Sequence, residues 1–67
     1  MDRRTIIQLN EAIAQLTEAV HSLEQAEAIG RDKRRSPIDD ELFRLFLDQA
    51  QANAQAAVYV LLTVSRS

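Results

Sequence analysis

Cysteine and tryptophan are absent from this chain, and proline, glycine and histidine each occur once in 67 residues. Without cysteine there is no disulfide and no thiolate metal site, and the lone His21 cannot make a metal site by itself, so neither metal nor cofactor is expected. Missing thiols also fit a reducing compartment. The single Gly30 and single Pro37 lie near the middle, which predicts two long elements with one connection between them. No run approaches the ~20 apolar residues of a membrane span; Ala56 to Val64 comes nearest. The N-terminal stretch MDRRTIIQLNEAIAQ is interrupted by Gln, Asn and Glu before it could form a signal-peptide core. These absences predict a soluble, cytoplasmic protein that does not enter the membrane. The net charge of −2 argues against general nucleic-acid binding.

What is present is helix-forming: Ala, Gln, Leu and Glu dominate. The expected fold is all-α, a two-helix antiparallel hairpin occupying residues 1–67 as one domain. Helix 1 is predicted from about Arg3 to Ile29, a basic connection from Gly30 to Ser36, and helix 2 from about Pro37 to Val64. A chain this short buries little of its surface, so association must supply the missing burial.

In helix 1, Ile6, Leu9, Ile13, Leu16, Val20 and Leu23 follow 3-4 spacing and predict the seam that meets helix 2. Ala12, Ala19 and Ala26 recur every seven residues on one flank, where small side chains allow close approach. Gln8, Glu11, Gln15, Glu18, Ser22 and Gln25 read as the solvent face. Asp2 or Thr5 caps the start, and Gly30 reads as the residue just past the C-terminal end.

The connection carries Arg31, Lys33, Arg34 and Arg35. These cations read either as a solvated turn favouring the C-terminal end of helix 1 or as a contact for phosphate or an acidic partner. Helix 2 opens with Ser36 as N-cap, Pro37 at the first helical position and Asp39, Asp40 and Glu41 in the first turn. Ser36 and Asp39 have the spacing of a capping box.

Placed at 100° per residue, helix 2 shows two apolar sectors. Phe43, Phe46, Leu47, Ala50, Ala54, Ala57 and Leu61 form the sector expected to meet helix 1. Leu42, Leu45, Ala52, Ala56, Tyr59 and Val60, with Ile7 of helix 1, are left for another molecule. An uncovered apolar stripe on so small a protein marks an interface. Tyr59 suits an anchoring role because its ring is apolar and its tip polar. Asn53 lies at the edge of the main seam, where it reads as partly exposed, the other reading being a buried hydrogen bond that fixes register. The terminal run VYVLLTV is rich in β-branched residues, but a lone strand has no partner in this chain, so helix is expected.

Enzyme constellations are absent from the sequence. No Gly-rich phosphate loop or nucleophile motif occurs, and the carboxylates lack metal-binding spacing. His21, in VHSLE, lacks the charged residues usual after a phosphotransfer histidine. The expectation is a protein that works by binding rather than by catalysis.

Helix 2 also carries a family resemblance. Phe43 and Phe46, the Gln/Ala-rich stretch Gln49 to Gln55, and the run Ala56-Ala57-Val58-Tyr59-Val60-Leu61 resemble the small co-chaperones of type III secretion needle subunits, the YscE/PscE type. Gly30 falls near that family's interhelix glycine. The resemblance implies a bacterial cytoplasmic hairpin that binds a chaperone of tetratricopeptide-like helical repeats. Through that larger chaperone it would help keep a needle subunit soluble and monomeric. An alternative architecture is a homodimeric four-helix bundle similar to the plasmid copy-number RNA-binding hairpins, with Arg3, Arg4, Lys33, Arg34 and Arg35 as RNA contacts. A third reading, a polymerising needle or filament subunit, fits less well, because helix 1 starts almost at once.

Overall fold

The computed structural model describes residues 1–66. Two helices, α1 (Arg3–Arg31) and α2 (Pro37–Arg66), run antiparallel as a rod whose Cα trace measures 51 × 13 × 12 Å. The all-α hairpin is as expected, and each helix extends two residues beyond its predicted end. The VYVLLTV run is helical.

The caps explain the boundaries. Asp2 stands in extended conformation, and its Oδ1 accepts a 2.8 Å hydrogen bond from the Thr5 backbone N–H, one of the donors that a helix start leaves unpaired. That backbone bond, followed by the Thr5 side chain, holds the Asp2 carboxyl below its ordinary value. Of the two candidate caps, Asp2 fills the position despite the two arginines after it.

At the other end of α1, Gly30 is inside the helix rather than past it, and no described glycine has a positive φ. The chain leaves the helix at Asp32, whose backbone N–H donates to the Ile29 carbonyl while its Oδ1 accepts from the Arg34 N–H at 2.9 Å. That local turn ends the helix without a left-handed residue, so glycine is not needed there. Gly30 instead lies beside Phe43, whose ring would stand 3.7 Å from an added Cβ, an ordinary contact distance.

The start of α2 is a reciprocal capping box. Ser36 N–H donates to Asp39 Oδ2 at 3.0 Å, and Asp39 N–H donates to Ser36 Oγ at 3.3 Å. Aspartate thus serves where glutamate is usual. One surface ion pair, Arg31 with Glu27 at 3.2 Å, spans a turn of exposed helix and adds little.

The packing departs from the expected seam. The buried side chains of α1 are Ala12, Ala19, Ser22 and Ala26, and those of α2 are Ala50 and Ala57. Half-buried beside them are Thr5, Gln8, Leu9, Gln15 and Ile29 from α1, and Phe43, Phe46, Asn53, Val60 and Val64 from α2. The row that α1 turns inward is therefore the alanine flank together with Gln8, Gln15 and Ser22, which sequence spacing had placed in solvent. Ile6, Ile13, Leu16, Val20 and Leu23 point outward, Ile13 being 60% and Leu16 45% exposed. Leu9 alone of the predicted α1 seam is half-buried.

The reason is steric. Alanines on both contact rows let two backbones approach closely, whereas a row of Ile and Leu holds them apart. The inward row also satisfies its polar members: Asn53 Nδ2 donates to Gln15 Oε1 at 2.7 Å across the helix pair. Asn53 is thus partly exposed, as its place at the seam's edge suggested, and also carries the cross-helix bond that ties the register of the pair. Counting outward from it along the contact rows sets Ala19 about level with Ala50 and Ala12 about level with Ala57.

Three outcomes follow from this packing. Gly30→Ala replaces a helical glycine with room for a methyl, so chemical denaturation should show a stability gain of about 0.5–1 kcal/mol. Ala19→Leu puts a large side chain at a buried position of the alanine contact row, and the same measurement should show a loss of about 1–3 kcal/mol. The depressed Asp2 carboxyl makes its cap fully effective above the unfolded aspartate value and lost as pH falls through the lower, folded one. The Thr5 amide shift should accordingly titrate below the ordinary aspartate range, and this titration should vanish in Asp2→Ala.

Candidate functional site

A hairpin that closes on alanine leaves its large side chains outside. Among the described residues, no large side chain is fully buried. Where these side chains lie follows from helix geometry. Running antiparallel reverses the sense of rotation, and facing one another reverses the side, so residues four after the contact row fall on the same side for both helices. Residues four before the row share the opposite side. Gln15 and Asn53 both lean to that second side of their rows, and they meet there.

The first side carries Leu9, Leu16 and Leu23 of α1 beside Leu47, Ala54 and Leu61 of α2. Ile6, Ile13 and Val20 form its outer edge on α1, and Arg44, Gln51 and Val58 form its edge on α2. Sequence spacing had placed Leu47 and Leu61 inside the hairpin; they are 38% and 41% exposed, at the rim of the contact. Ala54 is half-buried there. Phe43, Phe46, Ala50 and Ala57 do lie between the helices, as expected.

The second side is composed differently. Leu42, Gln49 and Ala56 run along α2, with Ile38, Leu45, Ala52 and Tyr59 on its outer edge; all but Ala56 are exposed, Tyr59 at 72%. The α1 half carries Arg4, Glu11, Glu18 and Gln25, with Ile7 on its outer edge. Of the residues assigned by spacing to an outside partner, Leu42, Leu45, Ala52, Tyr59 and Ile7 are therefore available. Ala56 and Val60 are half-buried against α1, because Val60 continues the Phe46–Asn53 row and Ala56 flanks it.

The molecule thus has two uncovered faces: one aliphatic on α1 and on α2 aliphatic at Leu47 and Leu61 beside Arg44 and Gln51, the other largely apolar on α2 and polar on α1, where Glu11 and Glu18 lie between Arg4 and Gln25. Sequence reasoning found the second. It missed the first because those residues had been assigned to the interior; the signal was the second heptad row, Ala12–Ala19–Ala26, offset by one position.

The basic connection sits at one end of the rod. Arg31 is paired with Glu27, and Asp32, Asp39, Asp40 and Glu41 lie close by in the chain. This is a mixed-sign tip rather than a basic surface. His21 is exposed on the outer part of α1. No group of three or more His, Cys, Asp or Glu among the described residues could hold a metal ion, and these residues form no pocket. No helix among them is long and apolar enough to cross a membrane.

Comparison with protein-family models, curated proteins and solved structures gives no significant match to this chain.

Proposed function

We propose that this chain is a non-enzymatic chaperone subunit of the cytoplasm. In this reading it binds a larger chaperone built of tetratricopeptide-like repeats and helps keep a type III secretion needle subunit soluble and monomeric. The observation that carries the reading is the hairpin's alanine interior: it leaves both outer faces with large apolar side chains that only another molecule can cover. The resemblance of Phe43 to Leu61 to needle co-chaperones supplies the identity of that molecule.

Docking uses the side formed by Leu42, Leu45, Ala52 and Tyr59, with Ile7 at its far edge. A helical repeat offers grooves between helices that accept such a row, and α2 presents it at successive turns. Tyr59 suits the centre of the contact, since its ring can be buried while its hydroxyl keeps a polar partner. The acidic positions Glu11 and Glu18 along the same side favour a groove with basic residues on one lip.

The test is capture of the tagged chain from its own cells. The reading requires co-purification of a helical-repeat chaperone together with a needle-like subunit. Tyr59→Asp combined with Leu45→Asp should abolish that capture while far-ultraviolet circular dichroism stays unchanged. A folded chain that recovers neither protein removes the reading.

A further inference from the structure

We infer that the other face, the one carrying Leu16 and Leu47, is covered by a second copy of this chain. The two hairpins stack antiparallel, α1 on α1 and α2 on α2, with their connections at opposite ends. This inference is independent of the co-chaperone reading, which uses the opposite side.

A two-fold axis through an interface requires each element to be complementary to its own reverse. On α1 the aliphatic row runs from Ile6 to Leu23 and is centred between Ala14 and Gln15. Reversed about that centre, Ile6 falls level with Leu23 of the second copy, Leu9 with Val20, and Ile13 with Leu16. Every large residue meets another. On α2 the row Leu47, Ala54, Leu61 is centred on Ala54, and reversal pairs Leu47 with Leu61.

The two centres also coincide along the rod. Gln15 is hydrogen-bonded to Asn53, so the middle of the α1 row stands level with the middle of the α2 row. One axis, perpendicular to the helices, therefore satisfies both. An unrelated partner imposes no such condition, whereas a second copy does.

The alternative stacking of two copies, with the connections at the same end, places α1 over α2. It sets the aliphatic edge of α1 against the edge of α2 that carries Arg44, Gln51, Val58 and Ser65. Antiparallel stacking keeps that edge against its own kind.

Sedimentation equilibrium of the isolated chain should give twice the 7.6 kDa chain mass. Leu16→Glu, at the axis, should reduce the mass to that of one chain at the same concentration. Leu45→Asp with Tyr59→Asp, on the far side, should leave it doubled. Should Leu16→Glu fail to fold, orientation decides the matter, and the absence of native cysteine makes the experiment clean. Oxidising a mixture of Ile6→Cys and Leu23→Cys chains should give the mixed disulfide in large excess over either self-linked product. A helical wild-type monomer overturns the inference. So does self-linking of Leu23→Cys in preference to the mixed product, or a chain that becomes helical only when a different protein is added.

Discussion

Close approach of two backbones through alanine is the constraint on which the rest of this molecule depends. Ala12, Ala19 and Ala26 face a row containing Ala50 and Ala57, and these small residues are the buried apolar side chains of the hairpin. Each alanine methyl removed from water contributes only about 0.8 kcal/mol. Ordering each backbone residue costs about 1–2 kcal/mol before helix hydrogen bonds and packing offset it. An interior of methyl groups is thus a weak source of stability, and the large side chains that could strengthen it point elsewhere. The consequence is a helix pair specified in its register but weakly stabilised by its own interior. Gln15 and Asn53 illustrate the specification, since slipping the hairpin by a turn would separate their 2.7 Å hydrogen bond.

The two outer faces differ in composition, and the two occupants proposed for them differ accordingly. Where the large aliphatic rows are symmetric about one level, the proposed occupant is a second copy of the chain. Where α2 is aliphatic and α1 carries Glu11 and Glu18, the surface is asymmetric, as expected of a site for an unlike partner. A dimer built on the first face leaves two copies of the second pointing outward. Self-association and partner binding are therefore compatible in one assembly. The Arg31–Arg35 tip belongs to neither face: its cations lie among Asp32, Asp39, Asp40 and Glu41.

Much of the fold was legible from local chemistry. Scarcity of glycine and proline located the connection, Ser36 and Asp39 announced the capping box, and the inward positions of Phe43, Phe46, Ala50 and Ala57 followed from spacing. The inward face of α1 was not legible. Two rows with the same 3-4 spacing run along that helix one position apart, one of Ile, Leu and Val, the other of Ala, Gln and Ser. Hydrophobicity selects the first. Complementarity with an alanine-bearing partner helix selects the second, and that is a property of the pair rather than of either segment. Gly30 was misplaced for a similar reason, because the helix ends through the Asp32 side chain, a local bond that competes with the glycine signal. Val60 was misassigned because it belongs to an α2 contact row that follows 3-4 spacing from Phe43 to Val64, and Ala56 because it flanks that row.

The claim on which all of this rests is that the hairpin closes through alanine and leaves its leucines outside. The most direct measurement is an isotope-filtered methyl NOE experiment that separates contacts within one chain from contacts between chains. The account predicts intrachain cross-peaks between the Ala19 and Ala50 methyls and between Ala12 and Ala57. Intrachain cross-peaks from Ile13 or Leu16 to Ala50 or Ala57, with the alanine pairs silent, would contradict it.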